Sequence, residues 1–315
     1  MSPQLWNFLW IKVILVDNFQ KKLIIITGPT AVGKTAVAIQ LAQHLGAQIV
    51  SADSRQIFRE LTIGTAKPTE AELKQVKHRL VNSHSITEPY DAAQYGEQAL
   101  ALIHDLFRKD DHVILCGGSG LYVKAVCEGF DDIPEVPKEI RAELIAGFET
   151  KGIHWLQNKM KAMDPEHYGA IDQQNPHRLI RALEVKIGTG VSIAEFRKKT
   201  VKDHPFKIVK IGLELEREEL YERINRRMDQ MIEEGLFDEA RELYPYKDQN
   251  ALQTVGYQEI FDFMDGKYDR EEAIRLLKRN SRRYAKRQLT WFKRDVAITW
   301  FHPGDWEKIL THVNQ

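Results

Sequence analysis

Cysteine is almost missing from this 315-residue chain, with Cys116 and Cys127 as the whole complement. They make no CxxC pair, and no histidine cluster stands at ligand spacing. That argues against a zinc site and a disulfide framework, and it points to a reducing, cytoplasmic compartment. An excess of one charge is missing too: 45 acidic residues balance 45 basic ones. A nucleic-acid surface must therefore be a local patch rather than a global field. No apolar run is long enough to span a membrane. The best candidate, Leu5 to Val16, is interrupted by Lys12 and lacks a small-residue cleavage site after it. Residues 1–22 are read as an N-terminal extension, with a signal peptide as the alternative. Repeats and low-complexity tracts are absent, and nothing demands a partner chain, so a monomer is expected.

What is present is a β-branched run, Leu23-Ile24-Ile25-Ile26-Thr27. It enters Gly28-Pro29-Thr30-Ala31-Val32-Gly33-Lys34-Thr35 and then a segment of helical composition, Ala36 to Leu45. This is GxxxxGK[ST] between a strand and a helix. The glycines let backbone N–H groups turn inward as an anion nest, Lys34 adds a point charge, and Thr35 offers a hydroxyl for Mg²⁺. The helix start contributes the positive end of a dipole. A bound di- or triphosphate is expected. A second strand from Gln48 leads to Asp53. Ligands of open parallel sheets lie beyond the carboxyl ends of strands, so Asp53 either faces what Lys34 holds or caps the following turn. A further strand, His112 to Cys116, runs into Gly117-Gly118-Ser119-Gly120, where an ATPase would carry an acid for Mg²⁺.

Asp131 to Pro137 forms a linker with two prolines and three acids, and from Lys138 to Thr200 the chain reads as helix throughout. Strand character returns at Lys207 to Leu213. The expected fold is α/β, a P-loop NTPase-like parallel sheet flanked by helices and discontinuous over 23–137 and 205–315. An all-helical insertion domain, 138–204, interrupts it. Within the insertion, Asn175-Pro176 starts a helix that carries Arg178 and Arg181 on one face, either as solvated surface or as anion contacts. A later helix places Leu220, Ile224, Met228 and Ile232 at every fourth position. Arg223 and Arg227 lie on a neighbouring stripe, where they converge on one anion or pair with helix acids such as Glu219. The last long helix, Glu271 to Phe292, carries Arg275, Arg279, Arg282 and Lys286 at helical spacing, the footprint of a phosphate backbone.

The set GPTAVGKT, ADSRQIF, IGTAKP, GGSGLY, NPHRLIRALE, RINRRMDQMIEEGL, TVGY and RRYAKRQLTWF, in this order, closely resembles the tRNA dimethylallyltransferase family from Lys21 to Trp300. The resemblance implies transfer from dimethylallyl diphosphate to N6 of adenosine 37 in tRNAs reading codons that begin with U. It also implies a helical insertion that grips the anticodon stem-loop. Gly28, Thr30, Ala31, Val32, Gly33, Lys34 and Thr35 would hold the diphosphate, with Thr35 helping to bind Mg²⁺ and Arg227 serving the leaving group. Asp53 would act as the base toward the adenine amine, with Ser54, Arg55 and Gln56 against the flipped base. By the same resemblance, tRNA contacts fall to Arg141, to Ser119 where the family usually has threonine, and to His177, Arg178 and Arg181. They also fall to Gln253, Gly256, Tyr257 and Gln258, the two glutamines standing where some relatives carry arginine. Allyl transfer needs a phosphate cradle without water activation, which fits the missing acid after Cys116. A small-molecule or nucleoside P-loop kinase is the alternative enzyme.

Overall fold

The computed structural model describes residues 21–197 and 202–315; residues 1–20, most of the expected extension, lie outside them. Two compact units form, Glu128–Lys202 and the rest of the chain. The helical unit begins before the Asp131–Pro137 linker rather than after it, and it ends at Lys202 rather than 204. The reason is packing: Ile133 joins the core of the helical unit, and Val136 lies so close to Gly188 that a Cβ there would sit 2.5 Å from Val136 Cγ1.

In the larger unit, β1 (Lys22–Thr27), β2 (Gln48–Ser51), β3 (His78–Arg79) and β4 (His112–Cys116) alternate with four helices. These are α1 (Lys34–Leu45), α2 (Glu70–Gln75), α3 (Ala92–Leu106) and α4 (Gly120–Cys127). The helical unit holds α5 (Lys138–Lys151), α6 (Ile153–Met163), α7 (Pro165–Ala170), α8 (Pro176–Thr189) and α9 (Ile193–Phe196). The chain then re-enters the sheet through β5 (Lys207–Leu213), followed by α10 (Arg217–Glu233), α11 (Leu236–Leu243), α12 (Gln258–Met264) and α13 (Arg270–Phe292). It closes with β6 (Thr299–Phe301) and α14 (Trp306–Asn314). The sheet has six parallel strands in the order β3-β2-β4-β1-β5-β6.

Strand β1 is central, and Leu23 to Ile26 are wholly buried. Leu23 and Ile25 join the core on one face, Ile24 and Ile26 that on the other. A strand covered on both faces reads as a continuous apolar run rather than an alternating one. In α10 the buried stripe is Leu220, Ile224, Met228 and Met231, not Ile232, which is only partly buried. At about 3.6 residues per turn, repeated steps of four drift off the stripe, and the fourth contact falls one residue early. Helix α8 starts as its sequence indicates, with Asn175 Oδ1 accepting from the Arg178 N–H at 3.2 Å. No helix among the described residues is long and apolar enough to cross a membrane.

Candidate active site

The phosphate loop leaves β1 at Gly28, whose φ of 142° and tight surroundings both require glycine. A Cβ there would lie 2.5 Å from the Leu213 carbonyl oxygen. Ala31 is held at φ 65°, a left-handed conformation that a non-glycine residue adopts only when its surroundings impose it. Lys34, the first residue of α1, folds back so that Nζ donates to Pro29 O at 2.7 Å and Gly28 O at 3.1 Å. Burial pulls its pKa down to about 8, against the opposing pull of Cys116 and Asp53. The Thr30 backbone is tied to a distant side chain. Its N–H donates to Gln288 Oε1 at 2.8 Å.

Gln288 is buried in α13, and its Nε2 donates to Gly118 O at 2.9 Å, so one side chain ties the phosphate loop to the loop after β4. That second loop lies directly on β2. A Cβ on Gly117 would be 2.1 Å from Ala52 O, and Ser119 Oγ accepts from the Ser54 N–H at 2.9 Å. Asp53 caps a turn and also lines the cleft beside Lys34. Its Oδ1 accepts from the N–H groups of Arg55 at 2.9 Å and Gln56 at 3.3 Å.

Two lobes meet at Thr30, Ala31, Asp53, Thr65, Arg227 and Tyr284. One, an open cleft, holds Lys34 and Thr35 with Arg223 and Arg226. The other has an apolar wall of Ile224, Met228, Met231, Leu236 and Val255 opposite Asp53, Arg55 and Tyr284. Arg227 reaches Thr30 Oγ1 at 3.4 Å, and burial lowers its pKa with Asp53 opposing. Burial likewise lowers that of Arg55 and lifts the Tyr284 hydroxyl to about 12 and the Cys116 thiol to about 11. Thr35 opens onto the same cleft as Asp53, and among the described residues no three acids, histidines or cysteines gather as a metal cage. That donor set suits Mg²⁺ held mainly by phosphate oxygens and water. A cation-lined cradle thus joins an apolar lobe, with a carboxylate at the junction.

The model of the IPP transferase family matches residues 56–295. The chain belongs to that family. It is 52% identical over 293 residues to the tRNA dimethylallyltransferase of Cytophaga hutchinsonii, covering 93% of this chain and 96% of the relative. It is 47% identical over 291 residues to tRNA dimethylallyltransferase 1 of Bacteroides thetaiotaomicron, covering 92% and 94%. Among solved structures, the tRNA isopentenylpyrophosphate transferase of Bacillus halodurans superposes with a TM-score of 0.68 at 42% identity, over 93% of this chain and 95% of that one. A eukaryotic dimethylallyltransferase, described as acting on tRNA, superposes with a TM-score of 0.74 at 26% identity over 94% and 77%.

Several residues that the family resemblance assigned to RNA already have protein partners. Tyr257 is wholly buried and donates to Glu239 Oε1 at 2.6 Å, so its side chain supports the site from inside. Gln56 Nε2 donates to Thr65 O at 3.2 Å and Ala66 O at 3.1 Å, tying β2 to the GTAKP loop. Ser54 and Ser119 bond each other, Oγ to Oγ at 3.1 Å. Exposed Gln253 donates to Lys247 O at 2.7 Å, and Gly256 lines the apolar lobe. Gln258 opens α12, half-buried. In the helical unit, Arg141 bonds Glu184 Oε2 at 2.8 Å and Arg181 bonds its other oxygen, while Glu184 itself is buried. His177 and Arg178 are exposed. On the basic stripe of α13, Arg275 bonds Glu272 and Arg282 donates to Asn225 Oδ1 at 2.6 Å, while Lys278 on the same helix pairs with Asp229.

Family motifs did not single out Gln288, Tyr284, the methionine stripe or Glu239. Glu239 accepts from three successive N–H groups, Thr62, Ile63 and Gly64, and so fixes the turn that carries Thr65. Gln288 stood inside RRYAKRQLTWF, but nothing in that string says which loop its amide reaches.

Proposed function

We propose that this chain transfers the dimethylallyl group of dimethylallyl diphosphate to N6 of adenosine 37 in tRNAs reading codons that begin with U. The observation that carries this reading is the junction of the two lobes. Asp53 and Arg227 stand where a diphosphate in the cationic lobe would meet a hydrocarbon in the apolar one. The C1–O bond breaks, the N6–C1 bond forms, diphosphate leaves with the bonding electrons, and N6 loses one proton.

Negative charge grows on the leaving oxygens, and Lys34, the amides of Ala31 to Thr35, and Arg227 stabilise it where it develops. The adenine amine is a weak nucleophile because its lone pair is delocalised into the ring. Asp53, held by its own turn, orients that amine and takes its proton, a contribution of about 10² to 10⁴ in rate. A base inside a structured loop must first be turned out into the pocket, and Arg55 and Tyr284 line the space that would receive it. Mg²⁺, held by Thr35 and the diphosphate, would add Lewis-acid neutralisation of the leaving group. The helical unit supplies exposed His177 and Arg178 to the anticodon stem-loop. The protein acts as a monomer in this reading.

Incubation with unmodified tRNA and labelled dimethylallyl diphosphate, against ATP as alternative donor, tests this reading. Label recovered on N6 of adenosine 37 is the expected result. Consumption of ATP γ-phosphate with no label in tRNA would instead establish a kinase.

A further inference from the structure

A buried amide joins two parts of the site that carry different tasks. Gln288 lies on α13, and the two ends of its side chain are not interchangeable. The Thr30 N–H can only donate and meets Oε1 at 2.8 Å, while the Gly118 carbonyl can only accept and meets Nε2 at 2.9 Å. On the first side, Thr30 Oγ1 accepts from Arg227 at 3.4 Å, so the amide reaches the arginine assigned to the leaving diphosphate. On the second side, Gly118 leads into Ser119, which grips both neighbours of Asp53. The Ser119 N–H donates to Ala52 O at 3.1 Å, and Ser119 Oγ accepts from the Ser54 N–H at 2.9 Å. The backbone pairing between β1 and the loop after β4 reaches Gly117, whose N–H donates to Ile26 O at 3.1 Å. Past that point Gln288 is the bridge, packed so closely that a Cβ on Gly118 would lie 2.3 Å from Nε2.

We propose that Gln288 is a positioning residue that fixes the leaving-group side of the site, Thr30 and Arg227, against the proton-accepting side, Asp53. This rests on the prenyl-transfer reading of the same cleft. Amine, C1 and leaving oxygen must be aligned at one moment, and a misplacement of about 1 Å can cost on the order of 10²-fold in rate. Each substrate still finds its own half of the site when the bridge is lost. The loss therefore falls on the chemical step rather than on affinity.

Gln288→Met keeps the side-chain length and removes both hydrogen bonds. With the full chain, unmodified tRNA and labelled dimethylallyl diphosphate, its single-turnover rate at saturation should fall by about 10²-fold, with the Kd of each substrate retained. Gln288→Glu gives a second readout. As a carboxylate it accepts from Thr30 but opposes the Gly118 oxygen, whereas a neutral carboxyl accepts and donates as the amide does. Burial favours the neutral form, so the rate of this variant relative to the unsubstituted protein should climb toward parity as pH falls from about 8 to about 6. The Gln288→Met ratio should stay flat, and taking ratios cancels the titration of Asp53 common to all three proteins. Thermal unfolding monitors the fold, and if Gln288→Met does not fold, Gln288→Glu decides alone. A normal rate in folded Gln288→Met overturns the proposal, as does a rate loss matched by an equal loss of diphosphate affinity, or a Gln288→Glu ratio that ignores pH. Failure of both variants to fold makes the residue structural and overturns it too. If the unsubstituted protein puts no label into tRNA, the prenyl-transfer reading itself has failed, an outcome distinct from transfer that is indifferent to Gln288.

Discussion

In the sheet-bearing unit, Arg55 and Arg227 line a cleft with no carboxylate bonded to them, whereas in the helical unit Arg141 and Arg181 both bond the buried Glu184. Arg55, Arg181 and Arg227 belong to strings typical of one family, and the same resemblance singles out Arg141. What separates them is the neighbouring acid. A guanidinium desolvated without a bonded counter-ion, as the lowered pKa of Arg227 reports, has its charge available for an anion that arrives later. A guanidinium already bonded to a buried carboxylate is part of the scaffold, and its removal exposes the unit to an uncompensated charge.

The sharpest way to break this comparison is Arg227→Ala. Loss of a group aimed at developing charge should lower kcat/KM for dimethylallyl diphosphate by about 10² to 10³, with tRNA affinity and thermal stability retained. A stability loss without a kinetic one would place Arg227 with the scaffold arginines. The counterpart is Arg141→Ala with Arg181→Ala. It leaves Glu184 buried and unpaired, and the melting temperature of the helical unit should fall by the equivalent of about 3 kcal/mol. Adding Glu184→Gln should restore much of that. A double variant that melts normally yet no longer binds tRNA would make these arginines RNA contacts first.

Proton occupancy of Lys34 produces a smaller effect. Its pKa of about 8 means that the group is a cation below that pH and neutral above it. The KM for dimethylallyl diphosphate should therefore be flat up to about pH 8 and then rise, by at most about tenfold per pH unit. Lys34→Arg, charged throughout, should abolish the rise. A KM that climbs equally in both proteins removes Lys34 as the titrating group. The smallest change is expected from exposed Arg178→Ala, which should lower the salt slope of tRNA binding by about one and leave stability untouched. An unchanged slope returns Arg178 to the solvated surface.

Much of the fold could be read before any coordinates. The apolar run of β1, the Asn175-Pro176 helix start and the return of strand character at Lys207 each depend on residues close together in the chain. Contacts between distant segments shifted what was misread. Ile133 and Val136 carry the linker into the helical core, and the helical drift of α10 exchanges Ile232 for Met231 at the site. Tyr257, given to RNA by the family resemblance, is buried and bonds Glu239 on another helix.

By itself the sequence determined the phosphate loop, the interrupted α/β architecture and the family. Each is written in consecutive or regularly spaced residues whose backbone geometry is local. Only the tertiary structure decided which polar groups remain free for a ligand. A hydrogen bond is satisfied by whatever the fold brings near, and the partners come from far away: Gln288 takes the Thr30 amide across 258 positions, and Glu184 takes Arg141 across 43. Spacing can announce a charge, but whether that charge is available is a property of its neighbours in space.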